Sequence, residues 1–232
     1  MLPPQGKALR PHPGPSFRNL DKTDHKMTRL MPGILAMAAI VVASNILVQH
    51  PMGAYLTWGA LTYPFSFLVN DITNRLQGAR AARTVVLAGF AVGLVSSVIG
   101  TQIQGEFGPL VTLRVALGSG TAFLVAQLID VAVFDRLRRA EWWRAPLISS
   151  LLGSSIDSVI FFTIAFAGFL TFLEPSNDVS WAATAGPLVG IGPTVAFWVS
   201  LAVADWMVKL TIAVFGLLPF RLFVARMTTM VA

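Results

Sequence analysis

The lysine and arginine residues of this chain are distributed very unevenly along a sequence of long apolar stretches. All but two of the 17 basic residues fall into four groups, at residues 7–29, 75–83, 136–144 and 221–226. Each gap between groups holds two apolar stretches, and the loop joining them carries no Lys or Arg. Because cytoplasmic loops of membrane proteins carry the Lys/Arg excess, the pattern predicts six membrane spans with both termini in the cytoplasm.

The overall composition supports an integral membrane protein. Hydrophobic residues make up 55% of the chain and the mean hydropathy is +0.69, which is too apolar for a soluble domain of this length. The net charge of +6 does not indicate nucleic-acid binding, because the basic residues serve as topology determinants attracted to anionic membrane lipid. Without Cys and with three scattered His, we expect neither a metal site nor a cofactor.

The chain divides into two tails and one membrane domain of the all-α class. Residues 1–28 are charged and rich in Pro, and we expect a disordered cytoplasmic tail. Residues 29–220 are expected to form the six-helix transmembrane domain, and 221–232 a short cytoplasmic tail. Since a span needs about 20 apolar residues, the spans are placed at 31–49, 54–72, 84–104, 110–134, 146–172 and 190–217. Pro64 and Pro193 predict kinks in the second and sixth spans.

Several polar side chains fall inside these apolar spans. Burying an ionisable group there costs about 2.5 to more than 10 kcal/mol, so such groups are functional candidates. The ionisable candidates are Arg114, Asp130, Asp157, Asp205 and Lys209, with Asp71 at a span boundary, and the amides are Asn45 and Gln127. At a rise of about 1.5 Å per residue, they lie at successive depths, which predicts a polar pathway across the membrane.

Each candidate also has a purely structural interpretation. Asp205 and Lys209 are spaced to pair on one helix face, and Asp71 with Arg75 has the same spacing near the cytoplasm. Asp157 has no basic residue within a turn of its own helix, so we expect it to be protonated, paired across helices or bound to a ligand. Arg114 likewise lacks a local counter-ion.

Enzyme motifs fit the chain poorly. It contains no HExxH, GxSxG or Walker A sequence, and no His in mid-membrane could serve as a base. We therefore expect no catalytic residues. Six spans, short loops and a buried polar set are typical of a carrier for a small molecule.

Three segments carry a specific family likeness: SNILVQ (44–49), TWGALTYPFSFLVNDITNRLQGARAAR (57–83) and QLIDVAVFDRLRRAEWWRAPLISSLLGSSIDSVIFFTIAF (127–166). With Arg114 and the Asp205/Lys209 pair, they resemble the queuosine precursor transporter family, also catalogued as vitamin uptake transporters. The resemblance covers about residues 34–215. It leaves out the N-terminal tail, and Asn74 departs from the family pattern.

The resemblance implies both a fold and a cargo. The fold would be similar to the substrate-binding subunits of energy-coupling-factor transporters, in a bacterial inner membrane. The cargo would be a 7-deazaguanine destined for tRNA modification, namely 7-cyano-7-deazaguanine, with its 7-aminomethyl relative as a second candidate.

Residue roles follow as hypotheses from the chemistry of a deazaguanine. Asp157 or Asp130 would accept hydrogen bonds from its N1–H and its exocyclic amine, and its O6 needs a hydrogen-bond donor. That donor would be Gln127, Asn45 or Arg114. The flat ring would stack on an aromatic side chain, and the candidates are Trp58, Tyr63 and Phe67. Asp71, Arg75, Asp205 and Lys209 are expected to serve structure or coupling.

Three readings of the function stay open from the sequence. The first is a self-sufficient secondary carrier. The second is a membrane-embedded binding subunit of a multi-component uptake system for vitamins or nucleobases. The third is a structural membrane protein whose buried charges only pair helices. The sequence specifies neither the coupling ion nor the oligomeric state, so a homo-oligomer is compatible with it.

Overall fold

The computed structural model describes residues 17–106 and 108–231, and α-helices dominate these ranges. The helices are α1 (Phe17–Leu47), α2 (Trp58–Thr62), α3 (Phe65–Gln77), α4 (Ala79–Gln102), α5 (Leu113–Leu137), α6 (Arg144–Phe166) and α7 (Phe197–Val231). Three short 3-10 helices lie between α6 and α7, at Gly168–Leu173, Ser180–Ala183 and Leu188–Gly190. The all-α class predicted from the sequence is confirmed.

Within the described ranges, five helices are long and apolar enough to cross a membrane. They are Thr28–Leu47, Ala79–Gln102, Leu113–Leu137, Arg144–Phe166 and Phe197–Met227. They correspond to the first, third, fourth, fifth and sixth predicted spans, although individual ends differ by several residues. The protein is therefore a multi-pass membrane protein.

The second predicted span is divided into α2 and α3. Pro64 has no backbone N–H and stands at the N-cap of α3, so it cannot continue the hydrogen bonds of α2. The chain turns there by short-range bonds, from Ser66 N to the Tyr63 carbonyl and from Phe67 N to the Pro64 carbonyl. The kink expected at Pro64 is present, and a sixth crossing depends on α2 and α3 acting together.

Pro193 does not kink a membrane helix, contrary to the sequence prediction. It lies between Leu188–Gly190 and the strand Thr194–Ala196, and α7 begins only at Phe197. The backbone before Pro193 cannot continue as an α-helix, because Val189 and Gly190 have φ values of 52° and 87°. The fifth span is also shorter than predicted, since α6 ends at Phe166.

Three small antiparallel hairpins join the helices at one end of the bundle. They pair β1 (Pro51–Met52) with β2 (Leu56–Thr57), β3 (Gln104–Gly105) with β4 (Gly108–Pro109), and β5 (Ala185–Pro187) with β6 (Thr194–Ala196). These are the connections in which the sequence has no Lys or Arg. The hairpins therefore lie at the end of the bundle predicted to face away from the cytoplasm.

The helices extend into both segments that the sequence assigned to tails. Helix α1 begins at Phe17, so residues 17–28 are helical where we expected disorder, and residues 1–16 lie outside the described residues. Helix α7 continues to Val231. Backbone hydrogen bonds can continue past the apolar segment because charged side chains do not interrupt a helix.

Small residues let α5 and α6 pack closely. A Cβ on Gly118 would lie 3.2 Å from the Phe161 carbonyl, and one on Gly153 would lie 3.3 Å from Cβ of Asp130. Such approaches are typical of helix contacts in membranes. The packing at Gly153 brings the polar face of α5 against α6.

Candidate functional site

Lys209 is the centre of a buried ionic cluster. Its Nζ lies 2.6 Å from Asp157 Oδ2 on α6 and 2.5 Å from Asp205 Oδ2 on its own helix, α7. Lys209 and Asp157 are each 4% exposed. The structure therefore pairs Asp157 across helices, which is one of the alternatives that the sequence left open, and it also forms the i,i+4 pair of Asp205 with Lys209.

Hydroxyl groups complete this ionic cluster. Tyr63 Oη donates to Asp157 Oδ1 at 2.9 Å, and Ser158 Oγ donates to Asp205 Oδ2 at 2.8 Å. Lys209 also reaches Ser158 Oγ at 3.1 Å and lies 5.3 Å from the centre of the Tyr63 ring. Both oxygens of Asp157 therefore have donors within the protein. Tyr63, which the sequence suggested as a stacking ring, bonds to a carboxylate instead.

A second polar cluster lies between α3 and α5. Asn70 Nδ2 donates to Asp130 Oδ2 at 2.8 Å, and Gln127 Nε2 donates to Ser66 Oγ at 2.7 Å. All four side chains are completely buried. Gln127 and Asp130 share one face of α5, as their i,i+3 spacing predicts.

Asp71 borders this second cluster from α3. Its two oxygens accept from Ser149 Oγ at 3.2 Å and from Ser150 Oγ at 3.1 Å, both on α6. Asn70, which precedes Asp71 on α3, donates to Asp130, so the two carboxyl groups belong to one buried cluster. Arg75 instead donates to the carbonyls of Arg138 and Trp142, so the expected pairing of Asp71 with Arg75 is replaced by serine hydroxyls.

Three oxygen acceptors in the second cluster have no hydrogen-bond partner among the residues that the structure describes. They are Asn70 Oδ1, Gln127 Oε1 and Asp130 Oδ1. Each buried acceptor left without a donor costs about 1–3 kcal/mol, and buried polar groups are normally paired. Within the described residues, these three oxygens therefore lack the donors that buried acceptors normally have.

Two cavities flank the ionic cluster. The larger, about 180 Å³, lies between α3, α6 and α7 and is lined by Phe67, Asp71, Ser150 and Lys209 among others. The smaller, about 60 Å³, is lined by Asn45 and Tyr63, with Ser97 and Ser119. We call them the inner and outer cavities, since the outer one lies nearer the hairpins. Pockets for drug-sized ligands are larger, roughly 300–1,000 Å³, so the inner cavity suits a small heterocycle.

Arg114 is buried at the start of α5, far from these clusters. Its Nε donates to the Ile164 carbonyl at 3.0 Å and its Nη2 to the Ala167 carbonyl at 2.7 Å, at the end of α6. A cation there is favoured by the helix dipole. Arg114 lies about 24 Å along α5 from Asp130, so one small molecule cannot contact both.

The remaining sequence candidates occupy different places. Asn45 donates its amide to the Val41 carbonyl at 2.8 Å and lines the outer cavity. Trp58 is 49% exposed at the start of α2 and borders neither cavity. Arg75 lies at the other end of the bundle, with its guanidinium 5.4 Å from the centre of the Phe134 ring.

Asn70 and the serines of α6 were missed from the sequence. Asn70 immediately precedes Asp71. Polar residues are common next to a carboxylate at the end of a span, so Asn70 did not stand out. The stronger signal was the i,i+4 spacing of Ser150, Ser154 and Ser158, which marks one polar face of α6, with Ser149 beside Ser150. Within the described residues, no group of His, Cys, Asp or Glu is arranged to hold a metal ion.

Comparison with known proteins gives a consistent picture. A family model described as "Putative vitamin uptake transporter" matches residues 57–224. The "Queuosine precursor transporter" of Escherichia coli K12 is 33% identical over 195 residues, which are 78% of this chain and 79% of that protein. The "Probable queuosine precursor transporter" of Haemophilus influenzae is 39% identical over 153 residues, 55% of this chain and 65% of that protein.

A more distant relative carries the same description. The "Probable queuosine precursor transporter" of Bacillus subtilis is 30% identical over 136 residues, 50% of this chain and 58% of that protein. No solved structure matches the chain. The relatives are described as transporters rather than enzymes, in agreement with the lack of enzyme motifs.

Proposed function

The chain belongs to the queuosine precursor transporter family, and from that premise we propose that it imports 7-cyano-7-deazaguanine. The 7-aminomethyl relative is the second candidate cargo. The protein would lie in the bacterial inner membrane and cross it six times, with α2 and α3 together forming the second crossing. The single observation that carries the cargo proposal is the set of unpartnered acceptors on Asn70, Gln127 and Asp130.

These acceptors match the donor edge of a deazaguanine. That edge carries an N1–H and an exocyclic amine, and no group in the described part of the chain donates to Asn70 Oδ1, Gln127 Oε1 or Asp130 Oδ1. Filling them with cargo N–H groups would offset the cost of burying them unpaired. Gln127 and Asp130 share one face of α5, about 4.5 Å apart along its axis, so both side chains can face the same ring.

Asp130 is a better candidate for the edge than Asp157. Both Asp157 oxygens already accept, from Tyr63 and Lys209, whereas Asp130 has a free oxygen. Phe67 is nearly fully buried and lines the inner cavity, so we assign the ring-stacking role to it. Trp58 is exposed and receives no role in binding.

Asn45 and Arg114 are assigned to the outer half of the pathway. Asn45 and Tyr63 line the outer cavity, and Arg114 retains an unpartnered donor at Nη1. Both can donate to the O6 of a cargo molecule that enters from the hairpin end. They would make these contacts before the cargo reaches Asp130, because of the distance along α5.

Ligand-dependent stabilisation of the purified protein tests this proposal. A ligand that binds only the folded state raises the melting temperature. We expect 7-cyano-7-deazaguanine to raise it, and guanine to raise it less, because guanine lacks the 7-cyano group. A panel of vitamins belongs in the same experiment, since the matching family is described by vitamin uptake. Stabilisation by a vitamin but by no deazaguanine would contradict the proposed cargo.

The alternative is a binding subunit that requires an energising partner. The family description, which names vitamin uptake, favours keeping this alternative. It predicts cargo binding by the purified chain but no accumulation in liposomes that contain this chain alone. Our proposal predicts accumulation without another protein.

A further inference from the structure

We infer that Asp71 and Asp130 form a proton-binding site, and that one proton enters the cytoplasm with each cargo molecule. This inference deepens the proposed function and rests on it. The site would make the protein a proton-coupled carrier, with its driving force taken from the proton gradient.

The geometry of the two carboxyl groups is the first support. Asp71 and Asp130 come from different helices but belong to one buried cluster, because Asn70, the neighbour of Asp71 on α3, donates to Asp130 Oδ2 at 2.8 Å. The two carboxyl groups are 2% and 0% exposed. Two neighbouring carboxylates in such a place repel each other and lack the solvation that both charges need. Retaining one proton between them removes one of the two charges.

The unpartnered oxygen of Asp130, which the proposed function assigns to the cargo when cargo is bound, is the second support. Asp130 Oδ2 accepts from Asn70, but Asp130 Oδ1 has no donor. The oxygens of Asp71 accept from Ser149 and Ser150. A proton shared between the two carboxyl groups supplies the donor that Asp130 lacks.

The groups around the pair permit the proton to leave on one side. Lys209 of α7 lines the inner cavity together with Asp71, and Arg75 lies one turn further along α3 and interacts electrostatically with Asp71. Helix α6 presents the two serine hydroxyls. The buried side chains of α1 and α4 near α3 are apolar, among them Met37, Ala82 and Val85.

These positions define a sequence of proton movements. With cargo bound, Asp130 accepts the cargo N–H groups as a carboxylate, and the proton resides on Asp71. When the inner cavity opens to the cytoplasm, cargo leaves and Asp71 releases its proton through that cavity. Lys209 and Arg75 stabilise the charge left behind. A proton from the outer solution restores the pair, so a neutral cargo carries one positive charge inward.

Purified protein in liposomes tests the inference without any variant. With the membrane potential clamped, we expect an outside-acid gradient of about one pH unit to accumulate neutral cargo about tenfold inside the liposomes. One pH unit is a tenfold ratio of proton concentrations, and a carrier that moves one proton per cargo molecule can build up the same ratio of cargo concentrations. A dye inside the liposomes should report acidification when cargo is added. Accumulation without acidification, or accumulation driven by a Na⁺ gradient instead, would overturn the inference.

The variant Asp71→Asn tests whether the transported proton binds to the Asp71–Asp130 pair, and Asp135→Asn is the matched control. Asp135 is an exposed carboxylate on α5, paired with Arg138 at 3.1 Å, and its variant should accumulate cargo as the unmodified protein does. Asp71→Asn should lose both the proton-driven accumulation and the acidification on addition of cargo, while its melting temperature shows that it is folded. Proton-driven accumulation by Asp71→Asn would overturn the assignment. Failure of the unmodified protein to exchange any deazaguanine would overturn the proposed function as well.

Discussion

At the scale of single residues, the buried charges divide into a paired set and an unsatisfied set. Lys209 is surrounded by acceptors: both oxygens of Asp157 accept hydrogen bonds, and Asp205 Oδ2 accepts from Ser158 and lies beside Lys209. Asn70, Gln127 and Asp130 instead retain free acceptors. Pairing of this kind serves helix association, whereas free buried acceptors are useful only when a ligand supplies donors. The two sets should therefore respond differently to substitution.

Lys209→Met tests the paired set. Removing the ammonium leaves Asp157 and Asp205 buried without their counter-ion, and breaking a buried pair in this way costs about 3–5 kcal/mol. We expect a large fall in melting temperature in detergent. A triple variant that adds Asp157→Asn and Asp205→Asn should recover much of the loss, because no charge is then unpaired. An unchanged melting temperature in Lys209→Met would show that the cluster does not stabilise the fold.

Asp130→Asn and Asp157→Asn form a matched pair for the cargo site. Asp130→Asn places a donor where an acceptor is needed, so binding should weaken by about 1–3 kcal/mol, which is roughly tenfold to a few hundredfold. Asp157→Asn should affect the melting temperature of the ligand-free protein more than it affects affinity. Titration of 7-cyano-7-deazaguanine measures both variants. If Asp157→Asn binds the cargo more weakly and Asp130→Asn does not, then Asp157 rather than Asp130 accepts from the donor edge of the cargo.

At the scale of helices, the sequence reveals how deep each residue lies in the membrane but not which residues of other helices it contacts. The apolar stretches placed five of the spans, and the proline at position 64 indicated the break between α2 and α3. The cross-helix pairing of Asp157 with Lys209, and of Asn70 with Asp130, could not be predicted, because helical periodicity relates residues of one helix only. The helix at residues 17–28 was missed since its polar residues resemble a tail. Pro193 was misplaced because the apolar stretch 188–196 also suits a turn and a strand.

Gly153→Ala tests the close contact of α5 with α6. A Cβ there would lie 2.7 Å from Cε1 of Phe67 and 3.3 Å from the Ala126 carbonyl, so neighbouring groups must move. We expect a loss of about 1–3 kcal/mol of stability and weaker cargo binding, since Phe67 and Asp130 are displaced. Gly216→Ala is the control: nothing lies within 4 Å of its Cβ, so stability should be unchanged or slightly higher. Equal behaviour of the two variants would argue against tight packing at Gly153.

At the scale of the whole molecule, the distribution of charge predicts the orientation of the protein in the membrane. The described basic groups lie at the ends of the helices opposite the hairpins, and the positive-inside rule predicts that this end faces the cytoplasm. Reporter fusions at Gly105 and Asn177 should report the periplasm, and fusions near Arg80 and Arg138 the cytoplasm. A cytoplasmic signal at Gly105 or Asn177 would contradict six crossings, and with them the joint role of α2 and α3.

The most direct test of the central claim is the queuosine content of tRNA in cells. A bacterial strain that neither makes deazaguanines nor imports them should be supplied with this chain and with 7-cyano-7-deazaguanine in the medium. We predict that queuosine returns to tRNA only when both are present, and that Asp130→Asn requires a higher external concentration. Absence of queuosine from tRNA, while the protein is present in the membrane, would contradict the account.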